Sequence, residues 1–210
     1  MHENFIIRDT GKCVADHYIR KVKHGIIFAM DRKKKLEEIA TEIETCRTCK
    51  KASSGKAVPG EGSPHAKIVF LGEAPGKNEA ATGRPFIGRS GQLLRKMIRR
   101  LGLKESDVFI TSPVKYLPDR GTPSKEQIVH GRKHLAKQLA VINPKIIVLL
   151  GKTAVTAMLE RPSAILQEHG SIIEEKGRTY VITLHPAAVI RFPKYAPLME
   201  KDFKKLRSFV

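Results

Sequence analysis

Four short apolar runs, separated by segments with helical periodicity, constrain the fold more than any other feature of this chain. The runs occupy residues 67–72, 108–111, 145–150 and 179–184. Strands that alternate with helices and are apolar along their whole length are typical of a parallel sheet covered by helices on both faces. The pattern therefore predicts an α/β protein with a parallel sheet at its centre.

The helical segments are recognised by apolar spacing and by capping residues. Helical spacing begins at Leu36, Ser90 is a candidate cap for the next helix, and Ser124 with Gln127 forms a capping box. Further helices are predicted near 152–159 and at the C-terminus. In such folds ligands bind at the carboxyl ends of the parallel strands. The corresponding loops follow Leu71, Thr111, Leu150 and Leu184.

Length and charge limit the class of protein. A chain of 210 residues predicts one compact domain with an appendage, which we divide into a basic N-terminal extension over 1–35 and a domain over 36–210. Thirty-nine Lys and Arg against 21 Asp and Glu give a formal charge of +18. This balance predicts an anionic partner, most commonly nucleic acid, although charge alone also fits a ribosomal or membrane-surface protein.

Membrane-spanning and secreted classes are disfavoured. No stretch approaches the ~20 apolar residues that span a bilayer, and the apolar run at 25–30 is too short for the core of a signal peptide. Three cysteines cannot form a secreted disulfide framework. We expect a cytoplasmic protein, associated with the nucleoid in a prokaryote, that is a monomer by default and has no membrane partner.

The loop after the first strand carries the densest set of candidate functional residues. Gly72 and Gly76 let the backbone approach a ligand closely. Glu73 lies between them, where a general base or a cation-stabilising carboxylate would act. Phe86 lies off core spacing in a small, polar loop, so it could stack on a flat ligand. The alternatives are an incidental acid in a polar turn for Glu73 and a loop anchor for Phe86.

Histidine and basic residues complete the candidate site. His185 directly follows the last strand, where an imidazole can donate a hydrogen bond to developing negative charge, and the other seven histidines lack such a setting. No acid occurs between Glu79 and Glu105 while seven cations do, which is typical of a phosphate-binding surface. The turn at 88–91 would present N–H groups to a phosphate. The triplet at 151–153 lacks the preceding glycine of a phosphate loop, so ATP binding is not expected.

Together these segments resemble the uracil-DNA glycosylase superfamily, closest to its family 4 enzymes of bacteria and archaea. The resemblance runs from about Leu36 to the C-terminus, with the matching segments in the family's order. They include Gly72-Glu-Ala-Pro-Gly76, Gly83-Arg-Pro-Phe-Ile-Gly88 and His185-Pro-Ala-Ala188. The resemblance implies a three-layer α/β/α sandwich with a central four-stranded parallel sheet. It also implies a base-excision-repair hydrolase that flips a base out of DNA and cleaves the N-glycosidic bond.

The resemblance further implies roles for individual residues. Glu73 would position or activate water, and His185 would stabilise the departing base anion. Phe86 would stack on the base, and Glu79 would lie against the edge of the pyrimidine. No lysine is placed for Schiff-base chemistry, so the enzyme should be monofunctional. The residues that would bind the base are Gly72, Ala74, Glu79, Phe86 and Ser112. Those that would bind the DNA strand are Arg84, Arg89, Ser90, Lys115 and Arg191.

The chain departs from the family at the residue that reads the base. Family members usually have Asn where this chain has Ser112. An amide offers a donor and an acceptor together, whereas a hydroxyl makes one such contact at a time, and the loss of such a contact can cost ~1–3 kcal/mol. The expected partner is therefore DNA that contains uracil or another deaminated base.

A second departure concerns the four cysteines that hold a four-iron, four-sulfur cluster in family 4. Cys46 and Cys49 match the first pair, but Tyr116 and Gly131 occupy the other two positions, and Cys13 lies in the extension. A cluster needs four ligands, so no intact cluster and no other cofactor is expected. Cys46 and Cys49 would remain as free thiols, with zinc binding or a disulfide as alternatives.

Functions of other classes stay open on the sequence. A catalytically weak or inactive module that binds damaged DNA could keep the same fold, and Ser112 and the missing cysteines favour it. Glu73, Phe86 and His185 together favour an enzyme, because binding alone would not need all three. Action on RNA or free nucleotides fits the long basic surface less well.

Overall fold

Six strands form the central sheet of the computed structural model, which describes residues 31–175 and 177–209. The first 30 residues of the predicted extension, Cys13 included, lie outside the described residues. The strands in chain order are β1 (Ser53–Ser54), β2 (Glu61–Gly62), β3 (Ile68–Leu71), β4 (Val108–Thr111), β5 (Leu117–Pro118), β6 (Ile146–Leu150), β7 (Ile172–Glu175) and β8 (Arg178–Thr183). The main sheet has the order β2-β4-β3-β6-β8-β7, and β1 pairs with β5 separately.

The four central strands of the main sheet are parallel, as predicted. β3 pairs with β4 and β6, and β6 pairs with β8, all in parallel register. Every residue of β3, β4 and β6 is buried, which explains their continuous apolar runs. The antiparallel edge strands β2 and β7 were not predicted. β2 has two residues and β7 is largely exposed, so neither produces an apolar run.

Helices cover both faces of this sheet. They are α1 over 31–45, α2 (Arg47–Lys50), α3 (Lys77–Thr82), α4 (Arg89–Arg100), α5 (Lys125–Ile142), α6 (Lys152–Leu159), α7 (Ile165–Glu168), α8 (Pro186–Arg191) and α9 (Ala196–Leu206). Helix α1 runs through the boundary predicted between residues 35 and 36. Gly88 caps α4, whereas Ser90, the predicted cap, lies inside the helix. Gly88 is the last residue with an extended backbone before α4 begins at Arg89.

The apolar core lies on the two faces of the sheet. Phe70 of β3 packs with Leu94 of α4 on one face, and the next residue, Leu71, packs with Leu135 of α5 on the other. Burial of each such side chain contributes ~1.5–3 kcal/mol. A smaller cluster, which includes Ile43 of α1, joins the first helix to the rest of the domain. No helix in the described part of the chain is long and apolar enough to cross a bilayer.

Candidate active site

The carboxyl ends of the parallel strands bring the predicted loops together. The amide of Gly72, after β3, donates to the carbonyl of Thr111 at the end of β4 (2.9 Å). The amide of Gly151, after β6, donates to the carbonyl of Thr183 at the end of β8 (2.9 Å). These two hydrogen bonds hold neighbouring loops at one edge of the sheet, where the sequence predicted a site.

Gly72, Phe86 and His185 lie close together at this edge. A Cβ atom added to Gly72 would lie 2.4 Å from Cζ of Phe86 and 3.7 Å from Nε2 of His185. The centroids of the Phe86 and His185 rings are 5.9 Å apart, and the rings are tilted by 34°. Only a glycine at position 72 leaves the Phe86 ring in place, whereas the distance to His185 would be an ordinary van der Waals contact. These three residues and Glu73 are the predicted catalytic and base-binding residues, and for that predicted role we call the group the catalytic cleft.

Phe86 has a left-handed backbone conformation, with φ of +51°, that costs free energy for a side-chain-bearing residue. The buried carboxylate of Glu79 helps to hold this loop. It accepts hydrogen bonds from the amides of Ile87 (2.9 Å), Gly88 (2.8 Å) and Gly76 (3.1 Å). Its oxygens are thus engaged by the backbone, so the geometry gives Glu79 a positioning role for Phe86. The predicted contact with the pyrimidine edge has no such geometric support.

Arg95 holds the same loop from helix α4, and the sequence analysis did not single it out. Its guanidinium donates to the carbonyls of Phe86 and Pro85, each at 3.0 Å, and also pairs with Glu105. A Cβ atom at Gly91 would lie 1.9 Å from the carbonyl carbon and oxygen of Phe86, so α4 can approach this closely only with glycine there. In the sequence Arg95 is indistinguishable from the other cations on the helix.

Glu73 is half-exposed beside the cleft, and its carboxylate is fixed by a threonine. Oγ1 of Thr153 donates to Oε2 of Glu73 at 2.6 Å. Thr153 lies in the first turn of α6, within the triplet for which ATP binding was not expected. Its position directly after the third parallel strand is the signal that could have identified it. Both residues line a groove of about 600 Å³ that also contains Lys125, Lys152 and Thr156.

His185 is the N-cap of helix α8, and its ring is oriented by the helix. Nδ1 of His185 accepts a hydrogen bond from the amide of Ala187 (3.1 Å). Burial lowers the pKa of His185, although the charge of Glu73 acts in the opposite direction. A neutral imidazole that accepts at Nδ1 carries its proton on Nε2, the atom that faces Gly72. Gly151, with φ of +87°, makes room for this ring, since a Cβ atom there would lie 2.9 Å from Cβ of His185.

Ser112 is buried directly after β4, at the position where the family usually has Asn. Its Oγ donates to the carbonyl of Val114 at 2.7 Å. The proton of the hydroxyl is used within its own loop, so only the oxygen lone pairs remain for a ligand.

Lys115 lies in the interior, with 1% of its surface exposed. Its ammonium donates to the carbonyl of Pro59 (3.0 Å), Oγ1 of Thr111 (2.7 Å) and Oε1 of Gln138 (2.7 Å). Burial lowers the pKa of Lys115 to about 7. A phosphate cannot reach the amine in this conformation, so the burial of Lys115 does not support the predicted contact with DNA.

The cations between positions 84 and 104 are less available to bind phosphate than the sequence suggested, because several of them form ion pairs. Arg84 pairs with Glu61 and lowers the pKa of that carboxyl group. Glu105 pairs with Arg95 and Arg99, and Glu200 pairs with Arg100. Of the seven, three are exposed and form no ion pair among the described residues. These are Arg89, Lys96 and Lys104.

Polar and aromatic groups that are at least partly exposed lie in the first turn of α4 and at the end of α8, and these two helices are in contact. Arg89 and Ser90 lie in the first turn of α4, where backbone N–H groups lack helical partners. Arg191 lies in the last turn of α8, with its guanidinium 5.4 Å from the centre of the Phe192 ring. Phe192 is 45% exposed, and the sequence analysis did not consider it. We call Arg89, Ser90, Arg191 and Phe192 the α4–α8 surface.

Comparison with known proteins assigns the family. The family model of the uracil DNA glycosylase superfamily matches residues 59–207. The chain belongs to this superfamily. It is 39% identical over 187 residues to a type-4 uracil-DNA glycosylase of Sulfurisphaera tokodaii, covering 82% of this chain and 84% of that protein. It is 34% identical to a type-4 uracil-DNA glycosylase of Thermotoga maritima over 185 residues, covering 85% of this chain and 96% of that protein.

The superfamily assignment confirms the predicted fold and class of enzyme, since these relatives are hydrolases of N-glycosyl bonds. A type-5 uracil-DNA glycosylase of Pyrobaculum aerophilum is more distant, at 29% identity over 150 residues, covering 63% of this chain and 66% of that protein. The roles of individual residues in this chain rest on the geometry described above.

A second group of residues lies at the junction of α1, α2 and α5. One ligand atom from each of Cys46, Cys49, His130 and His134 lies within 4.8 Å of the others. We call these four residues the Cys/His cluster. The sequence analysis assigned neither histidine a role, and the expectation that no cofactor is bound is not confirmed. The Cys-x2-Cys and His-x3-His spacings are typical of zinc sites and could have identified them.

The four-cysteine iron–sulfur site of the type-4 uracil-DNA glycosylases does not fit here. A Cβ atom at Gly131 would lie 2.1 Å from the carbonyl oxygen of Pro113, so no cysteine fits at that position without movement of the backbone. Tyr116 is buried, and its hydroxyl donates to the carbonyls of Ile43 and Glu44 (3.3 and 3.2 Å). Burial and the neighbouring Cys46 raise the pKa of Cys49 to about 12.

Proposed function

We propose that this superfamily member is a DNA glycosylase of base excision repair. It flips uracil or a related deaminated base out of DNA and hydrolyses the N-glycosidic bond, leaving an abasic site. The observation that carries the proposal is the catalytic cleft. A carboxylate, a neutral imidazole with Nε2–H and an aromatic ring meet there at the carboxyl edge of the sheet.

The charges of the reaction match these groups. When the glycosidic bond breaks, the sugar becomes positive and the base leaves as an anion. Glu73, whose carboxylate is fixed by Thr153, stabilises the sugar cation and accepts a proton from the attacking water, whose oxygen bonds to C1′. His185 donates its Nε2–H to a base oxygen, and a donor of this kind is worth ~2.7–4 kcal/mol. The base anion then takes up a proton from solvent.

The base is held by stacking and by limited polar contact. Phe86 offers its ring face, and such stacking is worth ~1–3 kcal/mol. Gly72 and Ala74, which directly follow β3, are the other residues proposed to contact the base. The Ser112 oxygen can accept one N–H from the base but has no proton to donate, because that proton is bonded to Val114. This predicts weak discrimination among deaminated bases, and we expect Ser112→Asn to change the rate or the base preference.

The α4–α8 surface is the part that binds the DNA strand. The first turn of α4 offers backbone N–H groups to a phosphate, and Arg89 and Arg191 supply exposed charge. Phe192 lies at the end of α8, the helix that His185 caps. An exposed aromatic side chain there can enter the base stack as the nucleotide leaves it. Binding should weaken steeply with salt, because each phosphate contact releases counterions.

The test is base release from duplex and single-stranded oligonucleotides. These would carry uracil, hypoxanthine, xanthine or thymine, the duplexes with guanine opposite, and alkali would reveal abasic sites. Wild type would be run beside Glu73→Gln, His185→Ala and the control His65→Ala, since His65 is exposed and outside the cleft. We expect release of at least uracil, a loss of ~10²–10³-fold in the first two variants and no change in the control.

The same assay separates the enzyme from a binding module. If no base is released while DNA binding stays sensitive to salt, the chain binds damage without cleaving it and the proposal fails. Equal activity of wild type and His185→Ala would remove the imidazole from the mechanism.

A further inference from the structure

The Cys/His cluster combines residues that are distant in the sequence. Cys46 lies between α1 and α2 and caps α2, and Cys49 lies within α2. His130 and His134 are one turn apart on α5, so both rings leave the same face of that helix. Sγ of Cys46 lies 3.1 Å from Nε2 of His130. The cluster therefore joins the first two helices to the longest helix of the fold.

The spacing of the ligand atoms fits one ion. Zn²⁺ binds thiolates at about 2.3 Å and imidazoles at about 2.0–2.1 Å, so two ligands of one tetrahedral ion lie about 3.3–3.8 Å apart. The four ligand atoms of the cluster, all within 4.8 Å of one another, need only small side-chain movements to reach that geometry. A centre with several irons spreads its ligands over different metal atoms and needs a wider arrangement.

The limited space beside the cluster also favours a single ion over a centre with several irons. The void beside Cys49 and His130, which Cys46 and His134 do not line, is about 10 Å³ and leaves no room for additional iron and sulfur atoms. The two other cysteine positions of the type-4 site are filled by the backbone contact of Gly131 and by the buried Tyr116. A cluster of iron and sulfur atoms has no place here, whereas a single ion does.

Groups around the cluster are those that support a metal ion. The amide of Cys49 donates to Sγ of Cys46 (3.5 Å). Nδ1 of His134 is buried without a hydrogen-bond partner, and Oε2 of Glu42 lies 3.9 Å from it. A buried ring nitrogen left unpaired costs ~1–3 kcal/mol. Metal-bound histidines typically donate their second nitrogen to a carboxylate, so an ion together with Glu42 would satisfy this ring.

We propose that Cys46, Cys49, His130 and His134 bind one structural Zn²⁺ ion in this protein. A set of two thiolates and two imidazoles is closed, with no position left for substrate. The ion links α2 to α5, and through Gly131 it supports the loop that carries Ser112 and Lys115. The site replaces, by a different donor set, the support that the type-4 enzymes obtain from four cysteines.

The first experiment is metal analysis of the full chain after expression in medium with zinc and iron. We expect one zinc per chain, little iron and no acid-labile sulfide. Zinc should be lost from Cys46→Ser and His134→Gln. The matched controls Cys13→Ser and His65→Gln should retain it. Bound iron with sulfide, no bound metal, or zinc that stays in Cys46→Ser would each overturn the proposal.

A second measurement does not depend on the variants folding. Wild-type protein stripped with a chelator would be titrated with Co²⁺ alone. We expect one equivalent to bind with the visible absorption of tetrahedral Co²⁺ and a thiolate charge-transfer band, both abolished by Zn²⁺. The unfolding temperature should fall on chelation and recover with Zn²⁺, because an ion that binds only the folded chain stabilises it. Octahedral Co²⁺ spectra or an unchanged unfolding temperature would contradict a structural site.

Discussion

The catalytic cleft and the Cys/His cluster show two different relations between sequence and structure. In the cleft, the residues that match the family motifs lie together, and glycines at 72, 91 and 151 provide the room they need. In the cluster, Tyr116 and Gly131 occupy the positions at which the resemblance predicts the other two cysteines, and two histidines from α5 lie beside Cys46 and Cys49.

The difference teaches that the order of motifs along the chain predicts the geometry of a site only where loops of adjacent strands form it. The cleft is made of loops that directly follow adjacent strands, so the order of motifs along the chain gives the geometry. The cluster is made of side chains from different helices, and Cys46 and His130 are 84 positions apart. The predictions below test how rigid each of these two regions is.

The largest effect is expected from closing the cleft with one methyl group. In Gly72→Ala the new Cβ would lie 2.4 Å from Cζ of Phe86, so the ring must move. A misplacement of about 1 Å can cost ~10²-fold in rate, and we expect kcat/KM for base release to fall by at least that factor. Gly121→Ala is the control: nothing lies within 4 Å of that exposed loop residue, so the only cost is the strain of its φ of +77°, which should lower stability and leave kcat/KM unchanged. Activity of Gly72→Ala within a few fold of wild type would mean that Phe86 is not confined.

A smaller loss is expected when the partner of Glu73 is removed. Thr153→Val keeps the shape of the side chain but deletes the 2.6 Å hydrogen bond to the carboxylate. A hydrogen bond to a charged group is worth ~1.5–3 kcal/mol, or about 10–100-fold in rate. The loss should appear in kcat with KM nearly unchanged, since Thr153 orients Glu73 and does not bind the base. Thr156→Val, in the same groove, should behave as wild type, and equal losses in both would argue for a general packing defect.

The strands that lie between two helical layers could be predicted from the sequence almost to the residue. Burial on both faces leaves no polar positions, so β3, β4 and β6 are continuous apolar runs. The edge strands β2 and β7 could not be predicted, because one is very short and the other is exposed. Their positions are set by pairing with β4 and β8 and not by their own residues.

The candidate site could be predicted where a residue directly follows a buried strand, as Glu73 and His185 do. Arg95 could not be distinguished from the other cations of α4, because its role depends on which loop that helix packs against. For Lys115 the sequence suggested a functional contact that the fold does not support. A lysine beside a motif suggests a DNA contact, whereas three buried acceptors direct this amine inward.

The close approach of α5 to the Pro113 loop can be tested by the sign of the change in the free energy of unfolding when a methyl group is added to Gly131. Alanine in place of glycine within a helix normally stabilises a protein by ~1 kcal/mol. At Gly131 the added methyl group would lie 2.1 Å from the carbonyl of Pro113, so we expect Gly131→Ala to lower the free energy of unfolding by ~1–3 kcal/mol. Urea denaturation would measure it, with Ala136→Gly on the exposed face of α5 as the reference for helix propensity. A stabilised Gly131→Ala would show that this position has room for a cysteine.

The protonation of His185 gives a pH dependence of defined sign. Burial lowers its pKa, so in the folded protein the ring stays neutral at a pH where the unfolded chain, with a pKa of ~6.5, already binds a proton. The free energy of unfolding should therefore fall as the pH drops below ~6.5, less so in His185→Gln. NMR titration should show the Nε2–H tautomer and a pKa below ~6.5, and kcat/KM should stay flat above it. A raised pKa would mean that His185 acts as a cation.

The smallest effect is expected in the salt dependence of DNA binding. This measurement distinguishes buried cations from exposed ones. Arg89 is exposed on the α4–α8 surface, so Arg89→Ala should reduce the slope of log affinity against log salt by ~1. Lys115→Met should leave that slope unchanged, although it should unfold at lower urea because Thr111 and Gln138 lose their partner. Both would be measured by fluorescence anisotropy below the unfolding transition. An equal loss of slope in Lys115→Met would mean that DNA binding rearranges the interior, so that the amine of Lys115 leaves its buried acceptors and reaches a phosphate.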